Sequence, residues 1–300
     1  MDAKKISSTL SRMVGDEAVG AIEFQGFKWK VGNTTGSNIE YLYSLDDLIK
    51  NAHLFIKTLM ADSTKKKIVV SLPAESYANS KNKEDGGLVK KFKDELAKNL
   101  PHLEDIQIMP QGVAAFEYLV NTKKIDPSIG NTLIIDGGFN TVNVSVINAS
   151  GEILFTETIH DELGVYNLLV DFFRVELQAK YDGVSANAQI LKKSFLEDKL
   201  DGGAVVVSIA NEKQRAIQTF MAKLITRVMN DLKKKHVSFD QFLFVGGISY
   251  YVDTKVIETT KPFYIPKKDG EFLTVLGMKA NKGNEYSAFD VGFGDTKYIL

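Results

Sequence analysis

The amino-acid sequence predicts an α/β protein, with short β-branched strands alternating with amphipathic helices along 300 residues. Three observations carry that expectation. Apolar runs of strand length, Ile68 to Leu72, Ile106 to Met109 and Phe242 to Val245, each stop at proline or glycine. Segments with apolar residues at helical spacing lie between such runs. A glycine turn, Asp136-Gly137-Gly138, separates the strands Thr132 to Ile135 and Val142 to Ile147, as in a hairpin, and Ile153 to Thr156 follows as a third strand.

The helices are expected from their stripes and their ends. Ser44 precedes Leu45, Leu48, Ile49, Ala52, Phe55, Ile56, Leu59 and Met60, and suits the N-cap position. Gln111 to Val120 follows Pro110 as a second helix, and Val165 to Lys180 reads as a third, stopped at Asp182-Gly183. The longest is expected to start at Asn211, with Gln214 completing a capping box. It carries Ile217, Phe220, Met221, Leu224, Ile225, Val228, Met229 and Leu232 toward a core and ends in Lys233-Lys234-Lys235, which suits the negative end of the helix dipole. A short helix is expected near Phe272 to Lys279, then a loop, then a last hairpin at Asp290.

Composition narrows the chemistry. With 37 basic against 38 acidic residues the net charge is −1, so direct nucleic-acid binding is not expected. The absence of cysteine excludes disulfides, thiolate metal sites and cysteine nucleophiles, and is compatible with a cytoplasmic location. The four histidines, at 53, 102, 160 and 236, show no metal-ligand spacing and are expected to be structural or exposed. Neither a signal peptide nor a run of about 20 apolar residues, enough for a membrane span, is evident.

The most informative feature is a repeat. Asp136-Gly137-Gly138-Phe139-Asn140-Thr141 matches Asp290-Val291-Gly292-Phe293-Gly294-Asp295-Thr296 in kind: a strand-end aspartate, a glycine two residues on, phenylalanine, a polar turn and threonine. One such turn is ordinary hairpin chemistry. Two copies suggest a ligand, because glycine turns aim backbone N–H groups at an anion and a nearby carboxylate can hold hydrated Mg²⁺. Lys297 adds a point charge beside the second turn.

Asp290 to Lys297 resembles the first phosphate motif of actin-like ATPases, closest to ParM-like bacterial and archaeal actins, and Asp136 to Thr141 resembles the second. Pro110-Gln111-Gly112-Val113-Ala114-Ala115-Phe116 is similar to the first connecting helix, Thr274 to Lys279 to the second, and Phe244-Val245-Gly246-Gly247-Ile248 to the adenosine motif. Val70-Ser71-Leu72-Pro73-Ala74 is similar to a strand end of the same family. In that family the first phosphate motif precedes the rest; here it follows, so the resemblance implies a circularly permuted order.

The resemblance further implies an actin-like fold, two ribonuclease-H-like cores with inserted lobes around a nucleotide cleft. The expected boundaries are 1–64 for the first lobe, 65–158 with 272–300 for the first core, 159–181 with 237–271 for the second core, and 182–236 for its lobe. ATP or ADP with Mg²⁺ is the implied cofactor, with Asp136 and Asp290 as the metal-associated carboxylates and Gln111 orienting the attacking water. The turn residues, Gly164 at a helix start, and Gly246, Gly247 and Ile248 would contact the nucleotide. Lys213 and Gln214 would reach its ribose or base. The implied biology is an ATPase that self-associates into filaments and positions DNA or another cargo, with a DNA-bound adaptor as a possible partner. A non-polymerising ATP-binding scaffold and a small-molecule kinase are the alternatives.

Overall fold

The computed structural model describes residues 2–13, 21–24, 26–32, 39–42, 44–160, 162–181, 187–201, 206–252 and 259–300. The chain divides into two units, Met1–Ile125 with Phe272–Leu300, and Asp126–Glu271.

Unit 1 opens with β1 (Lys4–Ser7), followed by a small antiparallel sheet of β2 (Thr9–Met13), β3 (Ile22–Phe24), β4 (Phe27–Val31) and β5 (Ile39–Tyr41) in the order β3-β4-β2-β5. Helix α1 (Leu45–Leu59) begins where its sequence expects. The Ser44 side chain accepts from the Asp47 N–H, while Asp47 accepts from the Ser44 N–H, a reciprocal cap worth about 1 kcal/mol. The predicted stripe buries Leu48, Ile49, Ala52, Phe55, Ile56 and Met60. Then come β6 (Lys67–Leu72), α2 (Ala74–Lys81), α3 (Gly87–Asn99), β7 (Asp105–Pro110) and α4 (Val113–Asn121).

Unit 2 is made of one continuous stretch. Strands β8 (Thr132–Gly137), β9 (Thr141–Ile147) and β10 (Ile153–His160) form an antiparallel meander. A helical segment follows, α5 (Val165–Asn167) and α6 (Arg174–Gln178) joined by a π-helical turn over Leu168–Phe173. The stop expected at Asp182-Gly183 lies outside the described residues. Helix α7 (Ala188–Glu197), the β11 (Lys199–Asp201) and β12 (Val206–Ser208) hairpin, and α8 (Ala210–Lys234) precede β13 (Gln241–Val245) and β14 (Phe263–Tyr264). The chain then returns to unit 1 with α9 (Leu273–Lys282), β15 (Tyr286–Val291) and β16 (Asp295–Ile299).

The two main sheets have the same plan. Unit 1 orders its strands β1-β16-β15-β6-β7 and unit 2 β10-β9-β8-β13-β14. In both, an antiparallel hairpin sits at the centre, one further antiparallel strand flanks it, and two parallel strands complete the other side. Only the chain order differs: the central hairpin comes first in unit 2 and last in unit 1.

Three sequence expectations are corrected. Residues 126–158 belong with unit 2, because β8 pairs in parallel with β13 from Thr132↔Gln241 to Asp136↔Val245. Strand β1 belongs to the core sheet through β16, not to a lobe spanning 1–64. Helix α8 starts at Ala210 with no side-chain cap; Ile209 is at the cap position, fully buried, so its core contacts take the place of the expected Asn211–Gln214 box. Along α8 the stripe is buried as expected except at Ile225, which is partly buried, and Met229, which is exposed.

Helices α4 and α9 cross very closely. A Cβ built on Gly277 would lie 1.9 Å from the Ala114 carbonyl oxygen, so any larger residue there forces the helices apart. His53 of α1 is buried, with its ring 4.4 Å from Phe24 between centroids. Burial pushes its pKa down from 6.5 to about 4, opposed by the Lys50 backbone and Glu95. A histidine held neutral contributes stability that is complete above pH 6.5 and lost as pH falls toward 4. Urea unfolding should therefore show up to about 3 kcal/mol more acid loss in the wild type than in His53→Leu. Parallel stability profiles for the two proteins would exclude this contribution.

Candidate functional site

In each unit the strand-end aspartate and the glycine turn lie at the C-terminal ends of the parallel strands, the usual ligand edge of such sheets. In unit 1 these are the ends of β15, β6 and β7. Apolar strands in register carry Asp290 and Ser71 to neighbouring positions, since Phe289 pairs with Val70. Leu72 pairs with Pro110, which places Gln111 just beyond, with its N–H bonded to the Leu72 carbonyl at 2.8 Å. Gln111 and Gly112 thus form a turn before α4, not its first residues.

Asp290 is only 6% exposed and its carboxylate is well supplied with donors. The Ser71 hydroxyl donates to Oδ1 at 2.5 Å, and Gln111 Nε2 donates to the same oxygen at 2.8 Å. Lys297, paired across the hairpin with Asp290, places Nζ 3.7 Å from Oδ2. Burying a carboxylate without such partners is costly. The turn itself closes through the Gly292 N–H to the Asp295 carbonyl at 3.2 Å, spanning Phe293 and Gly294. Ser8 N–H bonds the Gly294 carbonyl, and Ser8 and Thr296 share a buried hydroxyl bond at 2.9 Å.

Unit 2 repeats the turn. Gly138 N–H bonds the Thr141 carbonyl at 2.8 Å across Phe139 and Asn140, and Asp136 again lies two residues before the closing glycine. The structural equivalent of Thr141 is therefore Asp295, not Thr296 as the sequence match aligned them. Asp136 pairs with Asn143 where Asp290 pairs with Lys297.

The adenosine-like loop folds onto the same strand end. Gly246, at φ +75°, would place a Cβ 2.3 Å from Asp136 Oδ1, and Gly137 would place one 2.4 Å from Ile248. Both positions therefore exclude side chains, Gly246 through backbone conformation as well. Gly247 opens the 3-10 turn that carries Ile248 into the core.

The start of α5 packs against the turn. Val165 N–H bonds the Gly138 carbonyl and Tyr166 N–H the Phe139 carbonyl, at 3.1 and 2.9 Å, while Gly164 N–H bonds Asn167 Oδ1. These amides buttress the turn and are already hydrogen-bonded. The helix start expected at the phosphates thus lies directly against the glycine turn.

Lys213 and Gln214, expected at the ribose or base, lie in the first turns of α8. Lys213 is paired with Asp198 at 2.6 Å and lies over the Phe195 ring, and Gln214 is exposed. Their neighbour Glu212 is buried; burial alone would raise its carboxyl pKa, but Lys180, a backbone hydrogen bond and Arg215 together outweigh it and hold the carboxyl below its ordinary range.

Ser71 is the site residue that motif reading left without a role. Its signal was present: a lone hydroxyl inside the apolar strand Ile68 to Leu72.

No family model matches the chain, and no curated protein matches it. Solved structures do. An archaeal actin homologue in complex with ADP gives a TM-score of 0.71 at 18% identity, covering 92% of this chain and 91% of that one. A ParM from a 15-stranded Clostridium botulinum filament gives 0.57 at 17%, covering 91% and 90%. MreB5 of Spiroplasma citri bound to ADP gives 0.57 at 13%, covering 92% and 88%. The chain has the actin-like fold.

Proposed function

We propose that this chain binds and hydrolyses ATP with Mg²⁺ and assembles into nucleotide-dependent filaments. One observation carries the reading: two sheets of identical plan each end a central strand in an aspartate followed by the same glycine-closed turn. Folding alone does not require an acid at the same place in both. ADP in two of the similar structures and the filament of a third support it. Among the described residues no three carboxylates or histidines converge. Mg²⁺ keeps most of its waters and takes few protein oxygens. When bound, Mg²⁺ would neutralise charge on the phosphates, with the strand-end aspartate of a turn, Asp136 of unit 2 or Asp290 of unit 1, facing its water shell. The turn amides would stabilise the transferring phosphoryl group, and Gln111 would orient water.

In the same reading the chain is circularly permuted relative to its structural neighbours. The rotated strand order of unit 1, with β15 and β16 last, supports it. The cargo is DNA or another cellular body, reached through an adaptor, since a net charge of −1 gives no bulk attraction to nucleic acid. Among the described residues no helix is long and apolar enough to cross a membrane.

Replacing Asp136 or Asp290 with Ala should each weaken Mg-ATP binding by about 2 kcal/mol, roughly 30-fold, in calorimetry. Undiminished affinity in both variants would sink the two-turn reading. Light scattering should rise with Mg-ATP and not without it. Turnover with no rise would leave the non-polymerising scaffold as the better description.

A further inference from the structure

The geometry points to Ser71 as a positioning residue that sets Asp290 and Gln111 together. This rests on the ATPase reading above for its kinetic consequence, but its structural content stands apart from it.

Ser71 is 1% exposed, so its hydroxyl is shielded from bulk water and must bond within the protein. It donates to Asp290 Oδ1 at 2.5 Å. Its oxygen also lies 3.4 Å from Gln111 Nε2, which donates to that same Oδ1 at 2.8 Å. The three groups come from β6, the turn after β7, and β15, three neighbouring strands of one sheet. Two donors on one oxygen fix the rotation of the Asp290 carboxylate, which directs Oδ2 toward Lys297. Anchoring Nε2 likewise decides which end of the Gln111 amide faces Asp290, and therefore where its carbonyl oxygen lies. A neutral hydroxyl thus orients both a carboxylate assigned to metal-bound water and an amide assigned to the attacking water. Alanine at 71 removes the one donor that β6 supplies to Asp290 Oδ1. Gln111 Nε2 then keeps its bond to Asp290 Oδ1 but loses the neighbouring hydroxyl.

Such supporting contacts typically matter by about 10- to 100-fold in activity. The test compares the full chain with Ser71→Ala and Ser71→Thr. In nucleotide-free protein, the side-chain amide signals of Gln111, assigned through Gln111→Glu, should lose dispersion and exchange faster in Ser71→Ala and recover in Ser71→Thr. With Mg-ATP, kcat should fall about tenfold or more while KM moves much less, and threonine should restore kcat. If Ser71→Ala does not fold, the near-isosteric Ser71→Cys, a weak donor, is read instead and should behave as alanine was expected to. Unchanged Gln111 signals in Ser71→Ala overturn the proposal, as does full kcat in a variant without the hydroxyl. Wild-type protein that fails to hydrolyse ATP would overturn the ATPase reading alone, since the amide signals still decide the positioning role.

Discussion

Deleting Asp290 to Leu300 is expected to unfold unit 1 and to abolish nucleotide binding, a larger effect than any point substitution in the site. The ends of proteins are usually dispensable because they fray. Here the segment holds the end of β15 and all of β16, which lie between β1 and β6 in the sheet. Asp290, Val291, Thr296 and Ile299 are all buried. Without β16, β1 has no strand partner, and without Asp290 the Ser71 and Gln111 donors lose their shared acceptor. Transferring Asn284 to Leu300 to a position ahead of Met1 should restore both folding and binding. Lys4 pairs with Tyr298, so a short hairpin connection suffices to join β16 to β1. The new break would fall after Gly283, where α9 has ended. Circular dichroism melting and calorimetry would follow both chains. A truncated protein with a wild-type melt and normal Mg-ATP affinity would show that the hairpin is only a turn.

The second large effect is expected at Gln111. Water orientation is an interaction of the transition state, so Gln111→Ala should slow phosphate release by about 100-fold while ATP affinity stays within a few-fold. Ser71 and Lys297 remain to hold Asp290, which is why binding should survive. Filaments formed by this variant in ATP should persist longer, because hydrolysis is the step expected to release them. Single-turnover phosphate release equal to that of the wild type would remove Gln111 from the chemistry.

The parts of this molecule legible from sequence are those governed by local rules. The Ser44 cap, the stripe of α1 and both glycine turns depend on residues within a few positions of one another, and all form as expected. Sheet membership is not local. The run Thr132 to Ile135 announces a strand, but nothing within it says that its parallel partner lies at Gln241 to Val245 rather than in the first core. The start of α8 shows a related limit: Asn211 and Gln214 have the chemistry of a capping box, while burial of Ile209 decides the actual start. Ser71 was visible as an interruption of an apolar run, but its meaning required the acceptor on β15, 219 positions away.

The place of β15 and β16 in chain order bears on how a ribosome delivers this protein. Domains generally fold as they emerge, the N-terminal one first. Unit 2 has every strand of its main sheet in one stretch and can close while β15 and β16 have yet to be made. The earlier-made part of unit 1 cannot: β1 has nothing to pair with, and the inner edge of β6 stands open until the last strands arrive. An open strand edge is a template for pairing with another chain. During synthesis the second unit therefore matures before the first, and the nascent first unit is the stretch that most needs shielding.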